Sequence, residues 1–339
     1  MFTTAMNKKA LSIFVLFCAV VTGAGAQTQE IKTKGKVDSL LTASYFKSKY
    51  DTNYVKRPAE RWLLKLSDNL SGTSIHAKGT VKGVYSKYDL YTNLNNNISM
   101  EVDYCDIAVA FSINPAKLRG TYNDYEFNFE YHGNRLSFDL DYQRCTSLEG
   151  DMKLGDIDHL DEDGLSMKVF NLTAYYTFNH RRFSFPAAFY QNYRQLRSAG
   201  SWLAGINFQS GCIRTTDELK RRSPQAPDVH IDAVHVGIGG GYGYNFVFGK
   251  RSQWLMHISM MPTIVLYNHN RLTVNDDQLK AKHMRFNMVF NERAAIVYHF
   301  SERYFAGTTL MMSNSVFDDS NVVINQNKGM ARFFVGMRL

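Results

Sequence analysis

V-H-V-G-I-G-G-G-Y-G-Y-N-F-V-F, from Val234 to Phe248, alternates for fifteen residues. Val236, Ile238, Tyr242, Tyr244, Phe246 and Phe248 share one parity; His235, Asn245 and the glycines Gly237, Gly239, Gly241 and Gly243 share the other. Successive side chains of an extended chain point to opposite faces, so one face here is apolar and the other small or polar. The run is longer than a usual soluble strand and suits a tilted strand crossing a bilayer. The expected fold class is therefore all-β: a transmembrane antiparallel up-and-down β-barrel with lipid outside and polar groups inside.

Working outward, the same alternation recurs along the chain. Ile98, Met100, Val102 and Tyr104 are answered by Val109, Phe111 and Ile113 across Cys105-Asp106. Tyr125 to Tyr131 is answered by Leu136 to Tyr142 across His132 to Arg135, with Tyr131 expected opposite Leu136 and Glu126 opposite Asp141. Phe170 to Phe178, Phe183 to Phe189 and Trp202 to Phe208 follow. Beyond the central stretch come Trp254 to Leu266, Met284 to Phe300, Tyr304 to Met312 and Ala331 to Leu339. With Trp62 to Leu70, this gives thirteen segments, whereas single-chain bacterial barrels close on an even number. The expectation is twelve or fourteen strands, with either one strand concealed between Ser71 and Asn95 or two segments joined as one bent strand. Counting back from the carboxy terminus puts the turns at Gly249 and Ser301 at one end and Asn179 to Arg182 at the other. Glu292 falls on the lipid face, where a bulge would be needed to turn it inward.

Composition fits this architecture. The chain has 339 residues with 20 Tyr, 23 Phe and only 6 Pro. Its mean hydropathy of −0.30 is what alternating strands average to. Lys8 and Lys9 precede an apolar run from Leu11 to Val21 and the small residues Ala24-Gly25-Ala26, the pattern of a secretory signal peptide over residues 1–26. Residues 27–60 read as a periplasmic segment with a short helix at Val37 to Tyr50 or a linker, and residues 61–339 as the outer-membrane barrel. Cys18 follows Phe17 inside the signal run, a poor context for acylation. Cys105, Cys145 and Cys212 are too few for a disulfide framework. The net charge of +8 shows no basic cluster interleaved with aromatics, which argues against nucleic acid and for anionic lipid headgroups as partners.

F-S-F-P-A-A-F-Y-Q-N-Y-R-Q-L-R-S-A-G-S-W, Phe183 to Trp202, resembles the domain-of-unknown-function family numbered 4421, outer-membrane proteins of Gram-negative gut-type bacteria. Tyr50-Asp51-Thr52-Asn53-Tyr54-Val55 and Gly241-Tyr242-Gly243-Tyr244-Asn245-Phe246 carry the same resemblance. It implies a secreted barrel and supplies no activity.

Parity then selects the residues that face inward. Glu101, Asp103, Glu126, Glu130, Asp139 and Asp141 form an acidic set, and Arg194, Arg285, Arg293 and Arg332, with Arg338, an opposing basic set. Two arrangements fit: a barrel filled by ion pairs, or a water-filled passage with a transverse field for small polar solutes. The expected role is a porin-like channel or transporter in the cell outer membrane, with a closed structural or partner-binding barrel as the alternative. Its expected partners are outer-membrane lipids, the barrel assembly machinery and small polar solutes. The glycine row either leaves a gap in the wall or lets the sheet curve.

A third class is a lipid hydrolase. His257 and Ser259 share one face, similar to the His/Ser pair of outer-membrane phospholipases, but no orienting residue stands near them in sequence. The expectation is thus no enzyme, no cofactor and no metal site. Asp151 to Asp163 has calcium-loop composition without the ligand order, which suits a solvated loop.

Overall fold

The computed structural model describes residues 49–339 apart from 82–83, 106, 116–123, 155–156, 276, 281–283 and 320–321. The signal peptide and most of the expected helix at Val37 to Tyr50 lie outside the described residues. In chain order the elements are β1 (Val55–Lys56), β2 (Trp62–Val81), β3 (Val84–Thr92), β4 (Asn95–Tyr104), β5 (Ile107–Ile113), β6 (Tyr125–His132), β7 (Leu136–Cys145), β8 (Leu148–Leu154), β9 (Ile157–Leu160) and β10 (Leu165–Thr177). A short helix α1 (Phe185–Phe189) and β11 (Arg194–Gln195) come next. They are followed by β12 (Ala199–Thr215), α2 (Asp217–Arg222), β13 (Val229–Phe248), β14 (Trp254–Val274), β15 (Asp277–Lys280), β16 (Met284–His299), β17 (Tyr304–Asp319) and β18 (Val322–Arg338).

Among the described residues the wall has twelve strands, with β3 and β4 counted as one bent strand. Both pair with β2, β3 along Ser74 to Val81 and β4 along Trp62 to Ser71. Antiparallel ladders then run β6-β7-β10-β12-β13-β14-β16-β17-β18-β2-β4-β5. Among the described residues no ladder joins β5 to β6; Glu126 of β6 instead reaches β2 and β4, accepting from Ser71 Oγ at 2.7 Å and Asn95 Nδ2 at 2.9 Å. The blurred stretch from Ser71 to Asn95 is therefore ordinary strand continuing past the belt. The outer face of the wall is apolar and exposed, as at Leu66, Val109, Phe127, Ile206, Ile258 and Val335. Aromatic rings girdle one end: Trp62 lies 4.5 Å from Tyr104, and Trp254 lies 4.5 Å from Tyr298. Among the described residues no helix is long and apolar enough to cross a membrane.

The thirteenth segment is not a strand. Phe183 to Phe189 contains α1: Ser184 caps it by accepting from Ala187 N, Pro186 occupies its first turn, and every residue of α1 is buried. Removing it from the wall restores an even count. It also returns Asn179 to Arg182 to the same end as the turns at Gly249 and Ser301, which is the turn end. The opposite, loop end carries β8, β9, β15 and α2.

One further expectation changes, and two open ones are narrowed. Tyr131 pairs with Phe138 rather than Leu136, so Asp141 faces Asn128 and Asp139 faces Glu130. The hairpin is tighter than expected, closed by Gly133 N donating to Leu136 O at 2.9 Å, and a shift of two residues preserves which face each side chain takes. Glu292 stays on the outer face with no bulge at its pairing to Met260, where Asn314 Nδ2 donates to it at 3.4 Å. The glycine row leaves no gap at Gly239 and Gly241: a Cβ on Gly241 would run into Met260 O, and one on Gly239 would lie 2.8 Å from Pro262 O. Only glycine lets the neighbouring backbone approach so closely.

Candidate functional site in the filled lumen

The lumen is occupied in three layers. At the turn end, Phe183, Phe185, Phe189 and Tyr193 pack against inward residues of the wall, among them Leu203, Leu255, Ala295 and Val297. The segment just before the barrel joins this plug: β1 pairs antiparallel with β11, and Tyr50 meets Tyr193 edge-on at 4.9 Å. Tyr50 and Val55 are thus buried with the plug, whereas Thr52, Asn53 and Lys56 stay exposed.

Directional contacts fix the plug to the wall. Ser259 Oγ lies 2.9 Å from His257 Nε2, and His257 Nδ1 lies 2.7 Å from Asn245 Oδ1. Asn245 Nδ2 donates to Ser184 O and to Gln195 Oε1, both at 3.0 Å. Since the Asn245 carbonyl must accept, His257 Nδ1 donates, which leaves Nε2 to accept from the Ser259 hydroxyl. The orienting residue missing from the sequence reading is therefore Asn245, directly across the β13–β14 ladder from His257. Phe185 and Phe189 cover the imidazole at 5.2 Å each, and His257 and Ser259 are 1 % and 6 % exposed. Arg338 donates to Gln191 O at 2.6 Å and to Glu302 O at 2.9 Å.

Arg194, expected on the wall, belongs to the plug. It reaches the Glu302 carboxylate and Arg251 O, because β11 turns away from the wall before β12 begins. Burial disfavours ionised Glu302, but Arg194 and then Lys56 outweigh that and hold its carboxyl below the usual range.

The middle layer joins the acidic and basic sets. Lys328 meets Glu126 at 2.8 Å and Asp141 at 2.6 Å, Arg332 meets Glu130 at 3.3 Å, Arg293 meets Asp139, and Lys65 meets Glu101 at 2.8 Å. Arg293 also covers the Tyr175 ring at 5.1 Å. Asp103 is buried on the same face, while the Arg285 side chain lies outside the described residues. Lys65 was legible from parity, since Trp62, Leu64 and Leu66 face out. Lys328 was not, because V-V-I-N-Q-N-K from Val322 to Lys328 lacks the alternation that marks a strand.

The loop-end layer is apolar. Leu148, Met152 and Leu160 from β8 and β9, with Leu219 from α2, bury against Ile75, Leu90, Cys145, Met167 and Val169 of the neighbouring strands. Asp161 to Asp163 thus form the turn after a packed hairpin. Outside this layer, Cys212, His230 and Asp232 offer ligand atoms within 4.8 Å of one another, a grouping from two strands that spacing conceals. Arg214 Nε donates to His230 Nε2 at 3.1 Å there.

The model of a family described as a domain of unknown function, DUF4421, matches residues 49–338. The chain belongs to that family. The match begins at the plug's own Tyr50 region and ends with β18, so the DUF4421 unit comprises wall and filling together. A comparison with curated proteins gives no match. Among solved structures, the chain is similar to the outer-membrane protease OmpT from Escherichia coli, with 6% identity, 85% of this chain and 100% of that one covered, and a TM-score of 0.37. It is also similar to the translocator domain of the autotransporter NalP from Neisseria meningitidis (6%, 97% and 99%, 0.26). A third is the COG4313 outer-membrane channel from Pseudomonas putida F1 (10%, 85% and 100%, 0.27). Twelve strands, an exposed apolar outer face and an aromatic girdle identify the DUF4421 chain as a β-barrel of the cell outer membrane.

Proposed function

We propose that this protein is a closed barrel with a structural or partner-binding role, its lumen occupied by its own chain. The observation that carries this reading is the layer of ion pairs between β6–β7 and β16–β18, enclosed by the aromatic plug below and the apolar cluster above. An open passage needs a continuous column of water, and charges paired directly across the lumen occupy that space. Single-channel recording after reconstitution should give no steps of conductance. Stable openings of the unaltered protein would overturn the proposal.

A second reading is gated transport of small polar solutes. It is favoured by the plug's attachment: β1 and β11 form their own two-stranded sheet, so side chains rather than a ladder hold it to the wall. The double variant Arg338→Gln/Asn245→Ala should then conduct, and continued silence would remove the gate. On either reading the Ser259–His257–Asn245 chain anchors the plug, because aromatic rings cover the imidazole and the Ser259 hydroxyl that a substrate would have to reach is buried. Purified protein and Ser259→Ala should both release no fatty acid from phospholipid.

A further inference from the structure

A cleft of about 940 Å³ opens at the turn end, outside the lumen, between the N-terminal residues 49–51, the hairpin turn 133–136 and the lead-in to the plug, 180–182. Its shape is held by backbone acceptors. Asn134 Nδ2 donates to His180 O at 2.5 Å, Asp51 N to Arg181 O at 2.8 Å, and Thr177 N to Arg135 O at 2.8 Å. The rim carries Lys49, Arg135, His180, Arg181 and Arg182 against a single acid, Asp51. Arg182 is engaged, with Nε 3.7 Å from Asp51 Oδ2 and its guanidinium 5.0 Å from the Tyr54 ring centroid. Among the described residues Lys49, Arg135 and Arg181 have no acidic partner. Their charges converge on the cleft: partial burial, then Arg135 and Arg181, hold the His180 imidazole below its usual pKa.

The other wall of the cleft is apolar and belongs to the lipid-facing surface. Tyr131 and Phe138 stack at 5.0 Å, and Leu136 beside them is 59 % exposed. Cations above and aromatic rings below, at the edge of the apolar belt, match a molecule with an anionic head and an acyl tail. A soluble anion would use only the upper half. The turn end faces the periplasm, since short turns face that side in outer-membrane barrels.

We propose that this cleft holds one anionic glycerophospholipid of the periplasmic leaflet, its phosphate against Arg135 and Arg181 and an acyl chain along Tyr131, Phe138 and Leu136. The proposal rests on the membrane reading of the barrel but is independent of whether the lumen conducts. Cell fractionation tests the membrane reading first: recovery in a soluble periplasmic fraction would remove it and this site together.

The site itself is tested by native mass spectrometry of the full mature protein in detergent, offered equal amounts of phosphatidylglycerol and phosphatidylcholine of the same chain length. Phosphatidylglycerol should be retained preferentially, and Arg135→Gln/Arg181→Gln should weaken its retention about thirty-fold, from the typical contribution of one basic residue near an anionic headgroup. Lys250→Gln, at another exposed turn, should change nothing. In an NMR titration the His180 pKa should rise when phosphatidylglycerol is added, because the bound phosphate offsets the two guanidinium groups. Equal retention of both lipids, or an undiminished preference in the double variant, would overturn the site. Displacement of the lipid by inorganic phosphate at equal concentration, with the same His180 response, would overturn the lipid and leave a free-phosphate site.

Discussion

At the turn end of the lumen, side chains reach for backbone carbonyls and amide groups; at the loop end, they bury one another. Arg338 on Gln191 O, Asn245 on Ser184 O and Arg194 on Arg251 O fix the plug by direction as well as distance. Leu148, Met152, Leu160 and Leu219 close the other end mainly by burying one another, the first three on a hairpin that the β3–β8 ladder joins to the wall. Directional contacts in a dry interior fail abruptly when one partner is lost, whereas apolar packing loses free energy in proportion to the volume removed. The difference teaches that one chain closes two ends by separable means, so each can be loosened without the other.

The largest expected effect comes from Arg338→Gln. It strands the Gln191 and Glu302 carbonyls and should cost about 4 kcal/mol in detergent unfolding. Hydrogen exchange should accelerate in α1 and β11 but not in β8 and β9. Leu160→Ala, by its cavity, should cost about 3 kcal/mol and give the reverse exchange pattern. If both variants loosened both ends, the separation of the two closures would be wrong. A smaller gain is expected on the outer face, where Glu292→Leu should stabilise the barrel by about 1 kcal/mol and raise its midpoint of denaturation.

The smallest effect is a pH dependence confined to the turn end. The Glu302 carboxyl titrates below the usual range in the folded protein, so its pairing with Arg194 and Lys56 is fully present above the unfolded-state value. That contribution falls away as pH drops through the lowered folded value. Exchange protection of β11 should therefore decline on acidification below about pH 4, and Glu302→Gln should flatten that decline. An equal decline at Leu148 to Leu160 would mean that acid acts on the barrel as a whole.

The wall was legible because every second residue meets hydrocarbon, and Val234 to Phe248 states that rule without a break. The plug obeys a different rule while imitating the first. Phe183, Phe185, Ala187 and Phe189 alternate as a strand would, yet Ser184 before Pro186 is a helix start, and Phe185 and Phe189 stand one helical turn apart. The odd strand count signalled a misassignment, but the remedies it suggested, a strand concealed between Ser71 and Asn95 or two segments joined, were not this one: removing the helix from the list mends both count and sidedness. Glu126, Glu130, Asp139 and Asp141 could be assigned inward by parity alone, but their partners could not. Lys328 lies in a stretch polar on both faces, and whether opposed walls touch or enclose water depends on cross-section, which alternation does not encode. Asn245 was hidden for a related reason: its contact with His257 arises from hairpin register, and no local spacing announces it.

The ladder between β2 and β18 sets the tempo of folding. Its seventeen pairs, Leu63 with Arg338 through Gly79 with Val322, join the two ends of the described barrel across nearly the whole chain. Every other ladder between neighbours in the ring closes a far shorter span, so this pairing carries the greatest loop-closure entropy. The wall strands can zip in sequence as the chain is delivered, but the ring cannot close until the last strand finds the first. Substitutions that weaken β18 should therefore slow barrel closure more than equal losses in β13 or β14.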